Sequence, residues 1–184
     1  MLPIEQSCYW LASRIDYQAS SPLDSNISAE AVIVGAGFTG LWTAYFLKEL
    51  NCDLDVAVIE QGTVGYGASG RNAGMVSNCM DHSHALAIAH FGRKEAEVLL
   101  RLGLDNIDEL ADFALDCDFE RTGQLFVALA PEHLENCRHN ADLAAELGLS
   151  GHRVLSAEEV RHQLNSPLYL GGVFSPGGGI VDPI

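Results

Sequence analysis

Three glycines and one glutamate carry the clearest chemistry in this chain. Gly35, Gly37 and Gly40 form a G-x-G-x-x-G set, and Glu60 stands about 20 residues beyond the last of them. That combination suits a dinucleotide. Gly35 permits a tight turn, Gly37 lets the backbone approach a pyrophosphate with no Cβ in the way, and Gly40 allows a helix to pack closely on a strand. Phe38, Thr39 and Gly40 open that helix, where backbone N–H groups and the macrodipole favour the negative charge of phosphates. Glu60 offers its carboxylate to ribose hydroxyls.

Such a set has this meaning only between a strand and a helix, and both flanks are legible. Residues 31–34, Ala-Val-Ile-Val, are an unbroken apolar run that fits a parallel strand buried on both faces. After the turn, Phe38, Leu41 and Tyr45 recur at helical spacing, flanked by Ala44 and Leu47, as a stripe that packs back on the strand. Residues 54–59 form a second strand that ends at Glu60. The predicted unit is βαβ, with residues 30–34 and 54–59 as adjacent parallel strands and Glu60 beside the turn.

A second glycine-rich stretch follows, with glycines at 62, 65, 67, 70 and 74. Such a loop suits close backbone approach to a flat, anionic cofactor. Ser69 and Asn72 offer polar contacts there, and Arg71 can neutralise phosphate or an anionic ring.

The run 31–40, the strand ending at Glu60 and above all Val64-Gly65-Tyr66-Gly67-Ala68-Ser69-Gly70-Arg71-Asn72-Ala73-Gly74 resemble the FAD-dependent oxidoreductases of the D-amino-acid oxidase type. Within that type they are nearest to the glycine/sarcosine oxidase and γ-glutamylputrescine oxidase branch. The resemblance implies an α/β fold, a Rossmann-like FAD-binding βαβ domain with part of a second, α+β substrate domain. It assigns Gly35, Gly37 and Gly40 to the FAD pyrophosphate and Glu60 to the adenosine ribose. Gly67, Ala68, Ser69, Gly70, Arg71 and Asn72 fall to the loop running beside the pyrophosphate toward the isoalloxazine. No Cys or His matches a covalent flavin attachment, so non-covalent FAD is expected. The family's substrate-carboxylate residues lie mainly beyond residue 184, and no catalytic residue is assigned within this chain.

Composition narrows the partners. With 48% hydrophobic and 19% charged residues the chain is of ordinary globular make-up, and its net charge of −15 repels phosphate backbones, so nucleic acid is not an expected partner. No apolar run approaches the roughly 20 residues of a membrane span, and the N-terminus lacks the basic region of a signal peptide, which predicts a cytoplasmic protein. Cysteines at 8, 52, 79, 117 and 137 show no C-x-x-C spacing and are expected as buried free thiols. Asp81, His82, His84 and His90 invite a metal reading, but no further ligands stand at structural zinc spacing and no metal is expected.

Four segments are predicted. Residues 1–28 are an arm lying on the domain, with Tyr9-Trp10-Leu11 as an aromatic anchor. Residues 29–115 are the N-terminal part of the FAD-binding domain, ending in two helices separated at Gly103. Residues 116–176 are a partial substrate domain, with a strand over 124–129, a helix from Pro131 to Gly148, a capping box at Ser156-Ala157-Glu158-Glu159 and a strand over 168–174. Residues 177–184 return to the FAD domain, where Asp182 before Pro183 announces a helix that Ile184 leaves unfinished, as in a chain cut short.

The function expected is the N-terminal, FAD-binding portion of a flavin-dependent amine or amino-acid oxidoreductase. In that family, hydride passes from the substrate carbon to flavin N5 and the imine hydrolyses. The 184-residue chain alone is expected to bind FAD weakly, to expose apolar faces and to turn over no amine. Two alternatives stand beside it, an NAD-binding dehydrogenase domain and a non-catalytic truncated module. The second glycine loop argues against the first, since a plain nicotinamide domain has no need of it.

Overall fold

The computed structural model describes residues 8–14, 17–78, 83–113 and 117–184. The chain divides into two compact units, Met1–Gly74 with Asp182–Ile184, and Met75–Val181.

In the first unit, helix α1 (Tyr9–Ser13) precedes β1 (Ala31–Val34), α2 (Phe38–Leu50) and β2 (Val56–Ile59). β1 and β2 pair in parallel, Ala31 opposite Val56 and Val34 opposite Ile59, as the βαβ spacing predicts. Gly35 takes φ +103, a conformation that penalises any side chain, and so turns the chain from β1 toward α2.

The packing of this unit departs from expectation in two ways. β1 is not buried on both faces: Val32 is 54% exposed and Val34 85%. The sheet has two strands, β1 and β2, among the described residues, and a sheet that small cannot cover both of its faces. The predicted helix stripe is also rotated. Phe38, Leu41 and Tyr45 are exposed, whereas Gly40, Ala44 and Leu47 are half-buried. Closeness of approach is the reason. A Cβ at Gly40 would run into the Gly35 carbonyl oxygen and stand 3.3 Å from Ile33 Cγ2, so the helix start meets the strand through Gly40 while Phe38, Leu41 and Tyr45 turn outward. Exposed apolar faces, expected from the sequence, are thus present on both β1 and α2.

The second unit holds β3 (Met75–Ser77), α3 (His84–Phe91), α4 (Arg93–Phe113), β4 (Gln124–Ala128), α5 (Pro131–Glu146), β5 (Arg153–Ser156), α6 (Ala157–Gln163), β6 (Gly171–Ser175) and β7 (Gly178–Ile180). Its sheets are antiparallel, β3 with β7 and β4-β6-β5. Pro131 sits in the first turn of α5, and Gly148 follows that helix at φ +77. Ser156 and Glu159 form the predicted capping box, an arrangement that stabilises a helix start by about 1 kcal/mol. Two apolar clusters anchor the unit: Leu100, Ala144 and Leu149 tie α4 to the end of α5, and Ala128, Cys137 and Val173 tie α5 to the sheet.

The separation between α3 and α4 falls at Gly92, not at Gly103. Gly92 takes φ +80 and its N–H closes on the Ile88 carbonyl, which ends α3. Gly103 lies inside α4, where a Cβ would collide with the carbonyl oxygen of Asn78. It serves contact, not breakage. Strands β3, β5 and β7 had no counterpart in the sequence reading. Near the chain end, Asp182 Oδ1 accepts from the Ile184 N–H at 2.9 Å, the hydrogen bond of an N-cap, while residues 181–184 form no helical turn.

The cysteines also differ from expectation. Cys137 is buried, but Cys8 and Cys117 are half-buried and Cys52 is exposed. Cys52 falls in the polar turn Asn51-Cys52-Asp53 after α2, which no element covers. Cys79, Asp81 and His82 lie outside the described residues.

Candidate functional site

The glycine turn, Glu60 and the second glycine loop come together in the first unit. Glu60 leaves the end of β2 and its Oε2 accepts from the Ala36 N–H at 2.8 Å, while Oε1 accepts from the Gly62 N–H at 2.9 Å. Parallel pairing puts the two strand ends side by side, so the carboxylate reaches the turn without a detour. These backbone donors, Ala36 first, hold the Glu60 carboxyl below its ordinary value of 4.5. It is an anion at neutral pH, and a carboxylate has about four acceptor sites, so capacity remains for hydroxyl donors.

The second loop meets the start of α2. Its short 3-10 turn, Ala68–Gly70, presents Ser69, whose Oγ accepts from the Phe38 N–H at 2.9 Å. Further back, the Gly65 N–H donates to the Ala36 carbonyl at 2.9 Å. Gly70 is buried, and a Cβ there would strike the Gly65 carbonyl oxygen and meet Ile184 Cδ1 at 2.5 Å. Gly35 and Gly67 differ, since a Cβ on either would meet nothing within 4 Å. The backbone at Gly35 and Gly67 is therefore open beside a helix N-terminus, the form that receives a pyrophosphate, while Ser69 Oγ stands against Gly37. On this observation the residues present fit FAD.

Not every predicted side chain points its polar group outward. Asn72 Nδ2 donates to the Ser69 and Ala68 carbonyls at 2.7 and 3.3 Å, and its Oδ1 accepts from the Gly74 N–H at 2.7 Å. Arg71 Nε donates to the Gly67 carbonyl at 3.1 Å, and its guanidinium lies 5.3 Å from the Tyr66 ring centroid. Both side chains bend the loop on itself. Gly37, Phe38, Thr39 and Gly40 contribute backbone at the helix start, and Ala68 opens the 3-10 turn.

Sequence reasoning missed two features. The first is the set of bonds from Trp10, Arg14 and Tyr17 to the second loop, signalled only by the aromatic anchor. The second is a cavity of about 620 Å³ in the second unit, lined in part by His84, Asn140, His152 and Ser175. The two imidazoles stand 5.8 Å apart, and His152 Nε2 shares a 3.1 Å hydrogen bond with Ser175 Oγ. Burial lowers the pKa of both histidines, and for His84 the nearby His152 adds to it. The unfolded chain therefore takes up protons first as pH falls through 6.5, and stability is lost below that value. Thermal melts at pH 7.5 and 5.5 check this: replacing both histidines by glutamine should shrink the acid-induced drop, and an equal drop would refute the assignment.

The chain resembles known proteins in both sequence and fold. Residues 30–184 match the family model described as DAO, FAD dependent oxidoreductase. Gamma-glutamylputrescine oxidoreductase of Escherichia coli (strain K12) is 29% identical over 182 residues, covering 97% of this chain and 42% of that protein. The chain thus spans well under half the length of this relative. Among solved structures, L-amino acid deaminase from Proteus vulgaris superposes with a TM-score of 0.64 at 23% identity, over 90% of this chain and 38% of that one. Glycine oxidase from Geobacillus kaustophilus gives 0.62 at 21%, over 84% and 41%. These two likenesses show the fold. No helix among the described residues is long and apolar enough to cross a membrane. From the match over residues 30–184, the chain belongs to the DAO family of FAD-dependent oxidoreductases.

Proposed function

We propose that this chain supplies the dinucleotide-binding part of a flavoenzyme that oxidises an amine or amino acid, and that it holds FAD non-covalently. One observation carries the reading: Ser69 Oγ joins the second glycine loop to the Phe38 N–H at the helix start, while Glu60 closes on Ala36 of the same turn. In this assignment Gly35, Gly37 and Gly40 shape the pyrophosphate seat, the Thr39 N–H faces its charge, and the Phe38 N–H, held by Ser69 Oγ, fixes the loop at the edge of that seat. Glu60 takes the adenosine ribose. The loop of Gly67, Ala68, Ser69, Gly70, Arg71 and Asn72 runs beside the pyrophosphate. Bound FAD supplies the hydride acceptor, and the chain supplies position and electrostatics. The names of the relatives support an amine- or amino-acid-type substrate.

Exposed Val32 and Val34 on β1 and Phe38, Leu41 and Tyr45 on α2 support weak binding by the 184-residue chain alone, with no amine turnover. The test starts with the purified chain titrated with FAD under flavin fluorescence. Saturable binding is expected, and the yellow chromophore should pass into the filtrate after denaturation and ultrafiltration. Flavin retained on the denatured chain would overturn the non-covalent reading. No saturable binding would overturn the cofactor assignment.

A further inference from the structure

We infer that the segment carrying Cys8, Trp10, Arg14 and Tyr17 is a clamp that holds the second glycine loop in its cofactor-binding shape, with Trp10 and Arg14 as positioning residues. The inference rests on the assignment of that loop to FAD. Four hydrogen bonds cross from the segment to the loop. Arg14 Nη1 donates to the Val64 carbonyl at 2.9 Å, and the Tyr17 hydroxyl accepts from the Val64 N–H at 3.3 Å. Trp10 Nε1 donates to the Asn72 carbonyl at 2.8 Å, and Cys8 Sγ to the Gly70 carbonyl at 3.4 Å.

The pattern of these bonds decides their role. Every partner in the loop is a backbone group, so the segment fixes the path of the loop and not the identity of its side chains. The contacts gather at its two ends, Val64 before the 3-10 turn and Gly70 and Asn72 at its close. Ser69, which reaches the start of α2, lies between them. The bonds made by Asn72 and Arg71 inside the loop are local and set its curvature, but they cannot place it over the glycine turn.

A loop rich in glycine has a large conformational freedom to lose when it binds a ligand, and ties that remove this freedom beforehand strengthen binding. Arg14 suits the task because its guanidinium lies 3.9 Å from the Tyr17 ring centroid, which orients it toward Val64. Trp10 meets Tyr9 edge to face at 4.9 Å and brings a single donor on a stiff ring. The aromatic anchor of the N-terminal arm thereby gains a function that its sequence alone does not show.

The experiment compares the 184-residue chain with Trp10→Phe, Arg14→Met and their combination. Each single change removes one donor and keeps most of the bulk. Hydrogen–deuterium exchange over residues 62–74, measured without FAD, reports the clamp. Titration with FAD under flavin fluorescence reports what the clamp does. Loss of one donor should speed loop exchange and weaken FAD binding by about fivefold, and the combination by more than about tenfold. The melting temperature should hold, and Arg14→Lys, which keeps a donor for Val64, should recover much of the affinity. Unchanged loop exchange in the double variant would overturn the clamp whatever FAD does. Faster exchange with unchanged FAD affinity would overturn its positioning role. If the unaltered chain binds no FAD, the cofactor reading itself fails and takes the positioning role with it, while exchange still shows whether the tie exists.

Discussion

A valine at position 37 is expected to weaken FAD binding by about a hundredfold or more and to leave the chain folded. The two halves of this result have separate causes. Gly37 takes φ −86 and ψ −177, which any residue adopts, so the backbone gives no reason for misfolding. A Cβ there would stand 2.9 Å from Ser69 Oγ, the far end of a short side chain that can swing aside. The cost to the fold is then the Ser69–Phe38 hydrogen bond, about 1 kcal/mol. The ligand has no such freedom, because the valine methyl groups would fill the face through which charge-assisted bonds from the helix start, each contributing roughly 1.5–3 kcal/mol, must form. Circular dichroism and an FAD titration of Gly37→Val test both halves together. Affinity equal to that of the unaltered chain would remove Gly37 from the site.

Gly103→Val is expected to lower the melting temperature by about 8 °C. Valine is the better helix former by only about 0.4 kcal/mol, and this gain opposes a collision within α4. The new Cβ would meet the Asn78 carbonyl oxygen, a backbone atom that cannot rotate away. Asn78 itself has little room to retreat: it is 4% exposed, its N–H donates to the Gly177 carbonyl at 3.0 Å, and its side chain abuts Gly177. Overpacking of this kind costs about 3 kcal/mol, so the clash wins over propensity. Differential scanning calorimetry is the check, and an unchanged or raised melting temperature would mean that α4 shifts freely and that Gly103 is not a contact point.

Gly103 also marks the limit of what was legible in the sequence. Within a helical pattern a lone glycine looks like a break, and only the position of Asn78, 25 residues earlier in the chain, shows it to be a point of close approach. The βαβ unit was legible because its signals are local: a turn glycine, a helix start and an acid at the right interval. The capping box at Ser156 and the Pro131 helix start were legible for the same reason. Burial was not. The valines of β1 have the composition of a doubly covered strand, but cover is supplied by neighbours, and the two-stranded sheet has few. β7 is three residues long, two of them glycine, and takes its extended form from pairing with β3 and not from any propensity of its own. In the candidate site, Glu60 could be placed by counting residues. The role of Asn72 as a brace within the loop could not, because its partners depend on how the loop is bent.

The pairing of β3 with β7 has one more consequence, for how this chain tolerates change. Met75 opens the second unit and Ile180 stands directly opposite it in the antiparallel ladder, so the points of departure and return are neighbours, about 5 Å apart. The whole excursion is hemmed at its own base. To the segment that resumes at Asp182, it demands no more closure than a hairpin would, however much is enclosed between the two strands. An insertion with adjoining ends can be shortened, enlarged or exchanged for another without rethreading its host, as in the joints at which lineages splice one module into another.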